Sequence, residues 1–251
     1  MADLDFIFPD WPAPAGVRAA VTTRAGGCSG GPFASFNLAG HVGDDPAAVA
    51  ANRARLRAAL GLPTEPLWLT QVHGAEVARF GAAGTPPTAD AAVATVPGQV
   101  CVVMVADCLP VVFASRDGSA VGVAHAGWRG LAAGVLERTL EALARPAGDV
   151  LAWLGPCIGP QAFEVGEEVR QAFIDAGAAA EGRFAPNPRE VASPPRGSLK
   201  STARVGARTR TLRGSFPTGA TASRAASPRW RGSSEPPLDT CCRLKLCPSL
   251  P

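Results

Sequence analysis

Sixteen consecutive residues, QVCVVMVADCLPVVFA (99–114), carry a single charge, Asp107. A run of that length does not cross a membrane as a helix. Its polar break at Ala106, Asp107 and Cys108 divides it into two buried strands joined by a kink. Strands with so little polar alternation need cover on both faces, so the rest of the chain must supply it.

The flanking segments do. GVRAAVTTR (16–24) reads as a strand that ends in the glycine-rich loop AGGCSGGPFASFNLAG. DDPAAVAANRARLRAALG (44–61) reads as a helix, with Asp44 or Asp45 as its cap, Pro46 in its first turn and Gly61 at its stop. PLWLTQVHG reads as a short strand that breaks at Gly74, and SAVGVAH and DVLAWLG as two more. GLAAGVLERTLEALAR (130–145) reads as one helix, and a second such helix follows the turn at the start of GPQAFEVGEEVRQAFIDAG. Strands and helices alternate through residue 183, which predicts one α/β-type domain.

After about residue 188 this pattern stops. Residues 1–188 hold 12 Arg, no Lys and 18 acids, a net charge of −6. Residues 189–251 hold 10 Arg, 2 Lys and 3 acids, a net charge of +9. The second stretch lacks helical or strand periodicity and is rich in Arg, Ser, Pro, Gly, Thr and Ala, the composition of a disordered basic tail. The two expected regions are therefore a domain at 1–188 and a tail at 189–251. The start of the chain, MADLDFIFPDWPAP, is acidic and has no apolar core of a secretion signal. The expectation is a cytoplasmic, membrane-free protein whose seven cysteines are reduced thiols or metal ligands.

Three short segments end an apolar stretch on a potential metal ligand: His73 in TQVHG, Cys108 in ADCLP and His125 in AHAGWRG. Two imidazoles and a thiolate suit zinc and leave a fourth position open, which is the arrangement of a catalytic site. Their dispersal leaves ordinary structural roles open for each. Cys108 also reads as a thiolate nucleophile with His125 as its base. Cys28 and Cys101 read as structural, and Cys157 in GPCIGP as a residue that could line a site. Arg129, at the expected start of the 130–145 helix, and Arg24, before the glycine loop, could bind an anion or form surface ion pairs. Asn37, Gln71 and Asp90 lie at strand or loop ends where they could hold a polar ligand, and Trp128 reads as packing.

The segments TTRAGGCSGGPFASFNLAGHVGDDPAAVAANR, LTQVHGAEV, ADAAVATVPG, VMVADCLPVVF, GVAHAGWRG and GPCIGPQAFEVGEEV resemble the laccase-domain family nearly continuously over residues 5–188. That family is also called multicopper polyphenol oxidase or YfiH-type, and now purine nucleoside phosphorylase. The resemblance implies an α/β (α+β) fold, a mixed β-sheet sandwich with flanking helices in a single domain. It implies zinc held by His73, Cys108 and His125, and Cys108 and His125 are the expected catalytic residues. It implies phosphorolysis of adenosine, inosine, guanosine and methylthioadenosine, and deamination of adenosine; a monomer with no nucleic-acid partner is the accompanying expectation. Arg24, Asn37, Gln71, Asp90 and Arg129 become the expected substrate-binding residues. Copper-dependent oxidation of phenols is the older attribution, and some bacterial members are described as peptidoglycan editing factors. A cysteine hydrolase using Cys108 is the alternative reading.

The family ends in a glycine-rich strand followed by text resembling FFSYRRDGxTGR, and this chain has neither. Residues 204–233 nevertheless permit such text in a shifted frame, formed by the third base of each codon and the first two of the next. In that frame Gly214 to Ala226 allows Phe-Phe-Ser-Tyr-Arg-Arg-Asp-Gly-Val-Thr-Gly-Arg, and Arg204 to Gly214 allows Gly-Gly-Cys-Thr-Tyr-Ser-Asp-Pro-Glu-Arg. The chain is therefore expected to be frameshifted after about residue 188 and to lack the family's C-terminal strands. An inactive remnant is the corresponding non-enzymatic reading.

Overall fold

The computed structural model describes residues 3–81, 86–160, 162–177 and 184, together with the backbone of 242–248. In chain order the strands are β1 (Phe6–Ile7), β2 (Val17–Thr22), β3 (Val77–Arg79), β4 (Ala91–Ala94), β5 (Cys101–Val105), β6 (Leu109–Ser115), β7 (Val121–Ala126), β8 (Val150–Leu154) and β9 (Cys242–Pro248). The helices are α1 (Pro46–Ala59), α2 (Trp128–Ala132), α3 (Val135–Leu143) and α4 (Glu167–Asp175). Among the described residues the strands form two sheets, in the orders β1-β2-β9-β5 and β3-β4-β7-β6-β8. The second sheet is mixed, because β3 runs parallel to β4 while its other pairs are antiparallel.

The apolar run at 99–114 is explained by four stacked layers. Alternate residues of β5 point opposite ways. Cys101, Val103 and Val105 enter the space between the sheets, where they meet Val17 and Val21 of β2, Ala92 and Ala94 of β4 and Val112 of β6. Val102 and Met104 face outward and are covered by Leu56 of α1 with Phe36, Leu38 and Trp68. On the far side of the second sheet, Val111 and Phe113 of β6 pack beneath Val135 and Leu143 of α3. Both strands of the run are sandwiched, so neither has a face for polar residues.

The glycine loop is secured from α1. Asn52 is 1% exposed. Its Oδ1 accepts from the Cys28 N–H at 2.9 Å, and its Nδ2 donates to Ser29 Oγ at 2.9 Å and the Asn37 carbonyl at 2.8 Å. A loop with few side chains has its backbone groups satisfied in this way. Asn52→Ala strands these groups in a buried position and is expected to cost about 2–3 kcal/mol. The check is thermal unfolding, where a Tm fall of about 5–10 °C is expected; an unchanged melt rejects this account of the loop.

Helix α1 follows its sequence signals, with Asp45 accepting from the Ala47 N–H at 2.9 Å, Pro46 first in the helix and Gly61 at φ 55° just beyond it. Three expectations differ. The helix expected at 130–145 is two helices, because Gly134 adopts φ 81° and breaks the path between α2 and α3. The strand expected at 66–74 is an extended segment with isolated bridges at Leu67 and Thr70. Residues 189–251 were expected to form a disordered tail without the family's own C-terminal strands, yet β9, whose text is not the family's, pairs antiparallel with both β2 and β5. Residues 242–247, CRLKLC, begin with an apolar–polar alternation of period two, and β2 and β5 each offer it a hydrogen-bonding edge. The expected disorder of the remainder of 189–251 lies outside the described residues.

Candidate metal centre

Strand register brings the site together. Leu109 pairs with Ala126 and Pro110 with His125 across β6 and β7, so the kink at Cys108 lies opposite Gly127. On the other side of β7, Ala91 of β4 pairs with Ala124, which sets Asp90 beside His125. The His125 N–H donates to the Asp90 carbonyl at 2.7 Å. His73 arrives from the loop after the 66–70 segment with φ 61°, a left-handed conformation unusual for a residue with a Cβ.

One donor atom from each of His73, Cys108 and His125 lies within 4.8 Å of the others. The two imidazoles meet edge to face, with ring centroids 4.7 Å apart. Space for the group depends on Gly127: a Cβ there would lie 2.9 Å from Cys108 Sγ and 3.1 Å from His73 Cδ2. Gly130 also marks a close approach, since a Cβ there would lie 2.9 Å from the Gly74 carbonyl oxygen. The two glycines of AHAGWRG thus serve space, which their positions in the sequence did not reveal.

The pKa values of the two imidazoles are shifted in opposite directions. Burial, the neighbouring His125 and the Arg129 charge hold His73 below the ordinary histidine pKa, against the pull of Asp90. Burial also opposes charging of His125, but hydrogen bonds to Asp90 and Cys108 and the charges of both outweigh it and raise its pKa to about 9. For Asp90, burial favours the neutral acid, yet its bonds to His125 and to the N–H groups of Gly74, Val72 and His73 keep its pKa below the usual carboxylate value. Cys157 lies near Cys108. Its thiol pKa is pushed up by burial first and by Cys108's charge second, and the Ile158 N–H donates to the Asp107 carbonyl at 2.9 Å.

Arg129 is exposed, stacks with its guanidinium carbon 4.3 Å from the centre of the Trp128 ring, and acts electrostatically on His73. It lies inside the five-residue α2 rather than at the start of a long helix. Arg24 sits at the entry of the glycine loop, where its Nε donates to the Ala34 carbonyl at 2.7 Å. The polar side chains expected to hold a ligand are occupied by protein groups. Asn37 is 4% exposed and bonds to Ala39 and Asp44. Gln71 clasps the Met104 backbone from both ends of its amide, at 2.8 and 2.7 Å. Asp90 is fully buried. Val72, 57% exposed beside His73, is an apolar residue at the rim that sequence reasoning did not single out.

Known proteins are similar to this chain in sequence and in fold. The family model described as multi-copper polyphenol oxidoreductase laccase matches residues 18–210. The chain is 54% identical over 182 residues to the purine nucleoside phosphorylase PA4543 of Pseudomonas aeruginosa, covering 72% of this chain and 74% of that protein. It is 53% identical over 179 residues to the purine nucleoside phosphorylase YfiH of Escherichia coli, covering 71% and 74%. Among solved structures, the Neisseria meningitidis protein NMB0706 aligns with a TM-score of 0.70 at 43% identity over 78% of each chain. No helix among the described residues is long and apolar enough to cross a membrane. The chain belongs to the multi-copper polyphenol oxidoreductase laccase family, whose similar members include proteins named purine nucleoside phosphorylase.

Proposed function

We propose that the chain is a zinc-dependent purine nucleoside phosphorylase, acting on adenosine, inosine, guanosine and methylthioadenosine, that also deaminates adenosine. The observation carrying this reading is the convergence of His73, Cys108 and His125 within 4.8 Å. Two nitrogens and one sulfur form a zinc donor set with a fourth position left for water or substrate. A multicopper oxidase requires several ligand sets, whereas this is one group of three donors among the described residues.

In phosphorolysis a phosphate oxygen bonds to ribose C1′ as the bond from C1′ to purine N9 breaks, and the proton carried by phosphate ends on the purine. The residues of this chain bind and orient the reactants. Arg129 offers a guanidinium to the incoming dianion, with the Trp128 ring holding its plane. Arg24 is proposed as a second phosphate contact. Val72 offers apolar surface to the purine ring. Zinc held by the three side chains would supply Lewis acidity and acidify water near neutral pH, the requirement for replacing the C6 amine of adenosine.

Gly127→Ala should crowd Cys108 and His73 and weaken zinc binding by about tenfold or more, with little change in the melt of the zinc-free protein. Chelator competition reads the affinity, and an unchanged value would show that the site does not need this clearance. The function itself is tested by incubating the full chain with adenosine and phosphate. Adenine with ribose 1-phosphate is the expected product, and inosine forms when phosphate is omitted. If none of these products appears, the inactive-remnant reading replaces this one.

A further inference from the structure

The Asp90 carboxylate accepts from four donors at once. Oδ2 takes the Val72 N–H at 3.1 Å and the Gly74 N–H at 2.7 Å, while Oδ1 takes the His73 N–H at 2.9 Å and lies 2.8 Å from His125 Nδ1. Each oxygen therefore has two partners, which fills the acceptor capacity of a carboxylate. Three of those partners are consecutive backbone amides around His73, the residue in the left-handed conformation. The fourth is the ring nitrogen of the other imidazole. We propose that Asp90 is the positioning residue of the metal centre, one buried carboxylate that aims both His73 and His125 at the same point. This rests on the reading of His73, Cys108 and His125 as ligands.

The chemistry requires an ionised carboxylate. With Nδ1–H donated to Asp90, His125 presents the lone pair of Nε2 to a metal. For His73 the carboxylate acts on the backbone, holding the turn that delivers the ring. An amide in place of Asp90 would turn an NH2 group either toward the Val72 and Gly74 N–H groups or toward the His73 N–H and His125 Nδ1. The first choice releases the turn, and the second inverts the tautomer of His125. Asp90 does not touch substrate in this account: it is 0% exposed.

Asp90→Asn in the full chain provides the test, with zinc affinity measured by chelator competition and cobalt spectra read on the same samples. A folded variant that binds zinc about 10- to 100-fold more weakly is expected, with the Cys108-to-cobalt charge-transfer band kept and the ligand-field bands shifted. Wild-type affinity in a folded Asp90→Asn protein overturns the proposal while leaving the metal reading intact. Absence of zinc binding in the wild-type chain overturns the metal reading and this one with it. If the variant does not fold, imidazole nitrogen shifts of the zinc-loaded wild type decide. Zinc on Nε2 of His125 with Nδ1 protonated supports the proposal, and zinc on Nδ1 overturns it.

Discussion

Cys108→Ser is expected to abolish stoichiometric zinc binding and, with it, most of the proposed adenosine deamination. A hydroxyl is a poor replacement for a thiolate at zinc, so affinity should fall by more than the roughly 10- to 100-fold typical of losing an outer-shell partner. The deamination rate should fall by about 10³-fold, since Lewis-acid stabilisation is worth several kcal/mol. Activity alone does not separate a metal ligand from a cysteine nucleophile, because both readings lose it. Metal content does. A variant that keeps one zinc per chain but loses activity would favour the nucleophile, with His125 as the base that its hydrogen bond to Cys108 would make available. The position of Cys108, in a kink opposite Gly127 and beside His125, holds its Sγ where the two imidazoles converge.

Arg129→Ala carries the second large effect, and it should be selective. The proposed phosphorolysis brings a dianion to the site and the proposed deamination does not, so the guanidinium should matter chiefly to the first. Removing one charge-stabilising donor at a reacting centre typically costs about 10²–10³ in rate. The ratio of phosphorolysis to deamination should therefore fall by about 100-fold, read as kcat/KM for phosphate. Added salt should lower the wild-type rate more than that of the variant, because an exposed cation is screened. Equal losses in both reactions would mean that Arg129 acts through His73, whose pKa its charge affects, and not through phosphate.

Much of this was readable from the chain alone. Burial on both faces of β5 and β6 follows from an apolar run with one charge, and α1 carries its own cap and stop. The three metal-ligand candidates stood out because each ends an apolar segment. What stayed hidden depends on register between distant residues. Asp90 and His125 are 35 positions apart, and only the pairing of β4 with β7 sets them side by side. Asp90 was thus expected to hold a ligand, whereas its lone pairs are filled by the protein. Gly127 was unremarkable until β6 and β7 placed it against Cys108. β3 and β4 are short and rich in alanine, so they carried little strand signal. The split of the 130–145 helix rests on one glycine, which tolerates φ 81° without steric cost.

X-ray absorption at the zinc edge of the purified, zinc-loaded chain tests most directly whether three separate side chains share one ion. One sulfur at about 2.3 Å and two imidazole nitrogens at about 2.0–2.1 Å are the predicted neighbours, with the sulfur lost in Cys108→Ser. A spectrum of nitrogen and oxygen neighbours alone, unchanged by that substitution, would contradict the account.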